Sequence, residues 1–154
     1  MDRRWILRVF GAAAMALPLV NRKAAAYEKS TEKNHKLAIH VDVNDPEVMK
    51  LALNNARNAH ELYTEWGERV EIEIVAYSQG FHMLREDTSP VKEEIKELRT
   101  KVPQVAFGAC NNTKKGMEKR EGKTITLIPE ATLVPAGIVR LVELQELGYK
   151  YVKP

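Results

Sequence analysis

Residues 35–67 read HKLAIHVDVNDPEVMKLALNNARNAHELYTEWG, a span that contains one strand, one turn and one helix in order. The opening HKLAIHVDV, His35–Val43, is rich in β-branched residues and predicts a strand. Asn44-Asp45-Pro46 then carries a helix-start signal, with Asp45 as the cap and Pro46 at the first helical position, where its missing N–H costs nothing. From there to Trp66, Val48, Leu51, Ala52, Asn55, Ala59, Leu62, Tyr63 and Trp66 recur at spacings of three and four, an amphipathic stripe that Gly67 closes.

The same alternation continues toward the C-terminus. VEIEIVAY, Val70–Tyr77, has period two and predicts a second strand, followed by the loop Ser78-Gln79-Gly80 and a short helix through Phe81 to Arg85. Ser89-Pro90 starts a helix over VKEEIKELRTK, and Gln104–Ala109 is a third strand. Asn112-Thr113 is read as the cap of a short helix, TKKGMEKRE. Thr124–Ile128 reads as a fourth strand, Pro135–Leu147 as a helix ended by Gly148, and Tyr149–Val152 as a final strand. Strand and helix alternate without repeats or low-complexity tracts. The fold class is therefore α/β: a single domain with a mainly parallel five-stranded sheet and helices on both faces.

Upstream of that domain, residues 1–26 have the three regions of an export signal: a basic head with Arg3 and Arg4, an apolar stretch from Val9 to Val20, and the small residues Ala24-Ala25-Ala26. Arg3-Arg4-Trp5-Ile6-Leu7-Arg8 has the twin-arginine form, so the expectation is an exported, periplasmic protein beginning near Tyr27. Residues 27–34 form a polar linker, and the domain occupies 35–154. An apolar stretch this short argues against a stable membrane anchor. The whole chain carries a net charge of +3, but the leader holds five bases and one acid, so residues 27–154 carry −1. A basic partner surface for nucleic acid is not expected.

Chemistry centres on the one cysteine, in VAFGACNNTKKG. A single thiol excludes an internal disulfide. Cys110 lies at the carboxyl end of the third strand, where open α/β sheets place their crevice, and just before a helix start, where N–H groups favour an anion. A thiol so placed can have a lowered pKa, with Lys114 and Lys115 adding to the pull if they fold back. The other reading is a small buried hydrophobe. His40 and His60 read as structural residues, whereas His82 follows Gly80 at the end of the second strand, within reach of the crevice. The four histidines and Cys110 have no metal-site spacing, so neither a metal nor a cofactor is expected.

The stretches VNDPEVMKLALNNARN, VEIEIVAYSQGFHML, VAFGACNNTKKG and LVPAGIVRLVELQELGYKYVKP resemble the DsrE/DsrF-like family of sulfur-relay proteins, from about His35 to Pro154. That resemblance implies a compact α/β subunit assembled as a homotrimer or homohexamer, with sulfur carried as a persulfide on Cys110. Close relatives usually have glycine where this chain has Asn111, and a glycine-containing turn where it has Ser78-Gln79; Asn takes left-handed backbone better than most residues.

Two functions are expected from these features. One is an exported, sulfurtransferase-like persulfide carrier acting through Cys110, with a sulfur donor or acceptor protein as partner. The other is a non-catalytic oligomeric module that holds a small anionic ligand in the same crevice. Gly80, His82, Asn111, Asn112 and Thr113 are the candidate binding residues of that crevice.

Overall fold

The computed structural model describes residues 33–154, so the expected export signal lies outside the described residues. Asp45 caps the long helix as its spacing predicts: its carboxylate accepts the Glu47 N–H at 2.8 Å, and Pro46 stands at the first position. The chain then runs β1 (Asn34–Val41), α1 (Pro46–Glu65), β2 (Arg69–Ala76), a 3-10 segment (Ser78–Leu84), α2 (Lys92–Lys101), β3 (Val105–Cys110), α3 (Asn111–Glu121), β4 (Ala131–Val134), α4 (Gly137–Glu146) and β5 (Lys150–Val152). The five strands form one sheet in the order β4-β3-β2-β1-β5, and every pairing is parallel. The outer strands are short, and most of their residues are partly or fully exposed.

This order determines which face each helix covers. From β1 to β4 the chain steps one way across the sheet, and the connecting elements α1, α2 and α3 pack on one face. Their buried residues, among them Met49, Ala52, Leu53, Ala56, Ile95, Leu98 and Met117, close over Ile39, Val41, Ile72, Ile74, Val105 and Phe107. From β4 the chain returns to the far side of β1, and α4 crosses the opposite face, where Leu141 and Leu144 pack on Ala38 and Val75. Crossovers of a single hand require this split, because reversing the direction of travel reverses the face.

Two expectations are corrected. The apolar stripe of α1 is rotated from the one that the larger side chains suggest. Met49, Ala52, Leu53 and Ala56 are buried, while Leu51, Leu62 and Trp66 stand 46%, 45% and 59% exposed. Small Ala52 and Ala56 let the helix lie close to the sheet, and that approach outweighs the size of the leucines. The fourth strand is Ala131–Val134, not Thr124–Ile128. In the earlier stretch Ile125 and Ile128 plug the core, while Leu127 forms only an isolated antiparallel bridge to Arg85.

The loop after the 3-10 segment is tied to α3 by Arg85, whose side chain is 1% exposed. Its guanidinium donates to both carboxylate oxygens of Asp87, at 2.8 Å each, and to both of Glu121, at 2.6 and 2.8 Å. A buried guanidinium needs such bidentate partners to offset its desolvation.

Candidate functional site at the end of the third strand

Cys110 is the last residue of β3 and itself the N-cap of α3, a place expected for Asn112 or Thr113. Its Sγ accepts the Thr113 N–H at 3.4 Å, as a serine or aspartate oxygen would at an ordinary cap. The residue is 5% exposed. Burial pushes the thiol pKa up, but the Thr113 hydroxyl and the N–H groups of Gly137, Thr113 and Asn112 pull it down, and the net position is below the ordinary thiol value. Ser78 N–H donates to Thr113 Oγ1 at 3.1 Å, which leaves the hydroxyl proton free to face the sulfur.

The topology explains why donors meet here. β3 and β4 are neighbours, yet the chain leaves β3 for one face and β4 for the other. The crevice of an open α/β sheet opens between two such strands. Cys110 stands opposite Val134 in the register, and the start of α4 follows three residues later. The N-terminal ends of α3 and α4 therefore both approach the sulfur, and each brings N–H groups that an anion can use.

Beside this crevice, Ser78, Gln79, Asn112, Thr113, Gly116 and Arg120 line an open cavity of about 300 Å³. Ser78 has φ +52, the only positive φ outside glycine among the described residues. The unusual backbone therefore sits at Ser78. Asn111, whose residue type tolerates left-handed backbone, is the first residue of a regular helix.

The remaining candidates fall into place individually. Asn112 and Thr113 belong to both the cavity and the sulfur's donor set. Gly80 is buried under the end of β1, where a Cβ would collide with the Val41 carbonyl group; it serves close packing of the 3-10 segment. His82 bonds Thr88 at 2.8 Å, and its charged neighbours are Arg85, Glu121 and Asp87, all outside the crevice. Lys114 pairs with Glu118 rather than folding back toward the thiol.

Sequence reasoning took His40 as structural and did not consider Tyr77 or Tyr151 beside it. His40 is 5% exposed, stacked on Tyr77 at 4.6 Å between ring centroids and joined to the Tyr151 hydroxyl at 2.9 Å. Its Nε2 lies 3.9 Å from Asp42, and burial lowers its pKa below 6.5. Tyr77 also packs against Gly137, and burial, then Asp42, raises its hydroxyl pKa above 10. Parity offered a signal for His40, since it shares a sheet face with Ala38 and differs by one residue from the core-facing Ile39 and Val41. Among the described residues, no group of three or more His, Cys, Asp or Glu side chains could hold a metal ion.

No family model and no curated protein matches the chain. A protein of unknown function from Methanobacterium thermoautotrophicum has a similar solved structure, with 30% sequence identity over 78% of this chain and 99% of that one and a TM-score of 0.66. A conserved protein of unknown function from Bacteroides thetaiotaomicron, 20% identical over 77% of this chain and 94% of its own, has a TM-score of 0.52 and shares the fold. With 30% identity across nearly the whole archaeal chain, this protein belongs to the same family as that one.

Proposed function

We propose that the protein is a persulfide carrier whose working group is the Cys110 thiolate. The observation that carries this reading is the sulfur's place as N-cap of α3, where N–H and hydroxyl donors lower its pKa despite burial. The resemblance to sulfur-relay proteins supports it independently.

In the transfer, Sγ attacks the outer sulfur of a donor persulfide, R–S–SH. The new Sγ–S bond forms as the donor S–S bond breaks, and the donor departs as a thiolate with the electron pair. An acceptor thiolate then attacks the outer sulfur, and Cys110 leaves as the thiolate it was at the start. No external oxidant or reductant enters. Thr113 and the surrounding N–H groups stabilise the negative sulfur at both ends of the cycle.

Self-association completes this reading. On α4, Ile138, Val139 and Val142 stand 59%, 50% and 48% exposed, on the face that one helix alone covers. A contiguous apolar surface of this kind suits a second copy, and a trimer or hexamer is the proposed assembly.

A second reading rests on the cavity beside Cys110. Arg120 and the α3 N-terminus suit a small anion, while the thiol itself is nearly buried. Intact-mass analysis after polysulfide treatment separates the two. The carrier gains about 32 Da per added sulfur, the gain is reversed by reductant, and Cys110→Ser abolishes it without changing the assembly size measured by light scattering. A native protein that stays unmodified, with a thiol reactive only in denaturant, favours the anion-binding module; a monomer at micromolar concentration overturns the assembly.

A further inference from the structure

We propose that a cavity between α4 and the carboxyl ends of β1 and β5 binds a small, uncharged ring compound carrying a hydrogen-bond donor, and that the Tyr151 hydroxyl oxygen accepts that bond. The site is separate from the Cys110 crevice and needs no sulfur chemistry.

The cavity holds about 250 Å³ and is walled by three rings, those of His40, Tyr77 and Tyr151, and by Ile138, Leu141 and Val142 of α4. No Asp, Glu, Lys or Arg lines it. An ion entering would lose hydration with no opposite charge in the wall to replace it, so the occupant is neutral. Size limits it as well. A dry cavity of roughly 150 Å³ is enough for benzene, so this one has room for a single ring and its substituents. His40 is stacked on Tyr77 at 4.6 Å between centroids and tilted against Tyr151 at 5.9 Å, which holds the aromatic side in place and suits a further ring.

The polarity of the wall follows from His40. Its imidazole is 5% exposed, with Nδ1 2.9 Å from the Tyr151 hydroxyl. Nε2 is buried without a hydrogen-bond partner among the described residues and lies 3.9 Å from Asp42 Oδ2. Lys153 Nζ donates to that same oxygen at 2.7 Å, which keeps the carboxylate ionised. A lone pair on Nε2 would face this negative charge, whereas an N–H there faces it favourably. Burial keeps the imidazole neutral, so its one ring proton belongs on Nε2 and Nδ1 is left as an acceptor. The Tyr151 O–H therefore donates to Nδ1, and its oxygen has only lone pairs to offer a ligand.

Both members of this pair line the cavity, so the bond between them is part of its wall. Gln145 adds a second acceptor: its side-chain nitrogen donates to the Leu141 carbonyl at 3.0 Å, which leaves Oε1 for a ligand. The Tyr77 hydroxyl is able to act in either role. A ring bearing O–H or N–H thus gains a bond at Tyr151 that its methylated counterpart does not.

The test titrates the full-length protein with three probes of similar size, phenol, anisole and benzoate, followed by methyl and aromatic NMR. Phenol should shift the Ile138, Val142 and Tyr151 resonances saturably. Anisole, which lacks the donor, should bind about fivefold more weakly, the size of one neutral hydrogen bond, and benzoate should not bind. Tyr151→Phe should bring phenol down to the affinity of anisole and leave anisole unchanged. Equal binding of phenol and anisole, binding of benzoate as strong as that of phenol, or shifts confined to other residues overturns the proposal. The probe comparison uses the unaltered protein, so it decides the matter even if Tyr151→Phe does not fold. Ile138 and Val142 also belong to the exposed apolar surface of α4, which makes a second copy the other occupant. If their resonances move on dilution of the protein alone and ignore phenol, a second copy fills the cavity and the ligand site falls.

Discussion

Beneath α1, α2 and α3 the sheet presents Ile39, Val41, Ile72, Ile74, Val105 and Phe107, each essentially inaccessible to solvent. Beneath α4 it presents Ala38, His40, Glu73, Val75, Gly108 and Cys110. The first face is large, branched and apolar. The second is small where α4 lies close and polar at His40, Glu73 and Cys110. A parallel sheet ordinarily buries both faces in apolar side chains. Here one face supplies most of the hydrophobic stabilisation, which releases the other to hold a thiol, an imidazole and a carboxylate.

Substitutions on the two faces sharpen that contrast. Phe107→Ala, in the apolar layer at 1% exposure, should cost about 4 kcal/mol in denaturant unfolding, from lost transfer energy and the cavity left behind. A loss under about 1 kcal/mol would show that this face is not where the stability resides.

Arg140→Ala acts on the polar face. It strands the Glu73 carboxylate, 8% exposed, without its bidentate partner, and should cost about 3 kcal/mol. Most of that is the penalty of an unpaired charge, so Glu73→Gln added to Arg140→Ala should recover a large part. If the double variant is no more stable than the single one, the cost lies in the packing of α4 rather than in charge.

The smallest expected effect is the pH dependence that His40 contributes. Burial holds its folded pKa below 6.5; Asp42 opposes that shift, and Lys153 adds to it. The unfolded chain therefore takes up the proton first, and the contribution is complete above about pH 6.5 and lost as pH falls toward the folded value. The urea midpoint should drop from pH 7 to pH 5, and His40→Gln should flatten part of that drop. His82 is also shifted down, by burial and by Arg85, so His82→Gln measured in parallel identifies its share. An identical slope in His40→Gln removes His40 from the account.

The fold class was legible because its determinants are local. Asp45-Pro46 and the period-two run of Val70–Tyr77 specify their elements without help from the rest of the chain. The fourth strand was not. ITLI, Ile125–Ile128, has the stronger strand composition, but its isoleucines are needed as core plugs, whereas ATLV, at the sheet edge, is mostly exposed and has no periodic signal. The place of Cys110, at a strand end and a helix start, was legible from the apolar run before it. The close packing of Gly137 on Tyr77 was not, because it joins residues sixty positions apart across a change of sheet face that no local pattern encodes. His40 was read as structural, but its stacking on Tyr77 and its bond to Tyr151 were not legible, because both partners lie far along the chain.

The two short edge strands determine how copies of this protein can meet. A parallel sheet with open edges offers unpaired N–H and C=O groups to any other strand, the route by which β-rich proteins aggregate. β4 is four residues long, with Pro129 two positions before it and Pro135 immediately after; β5 is three, with Lys150 within it and Lys153 and Pro154 following. Neither edge gives an incoming strand enough length to pair, and the prolines and lysines penalise the attempt. Sheet-to-sheet growth into fibres is thereby discouraged at both ends, and contact between copies is directed to the helical faces, where an assembly can close upon itself and stop.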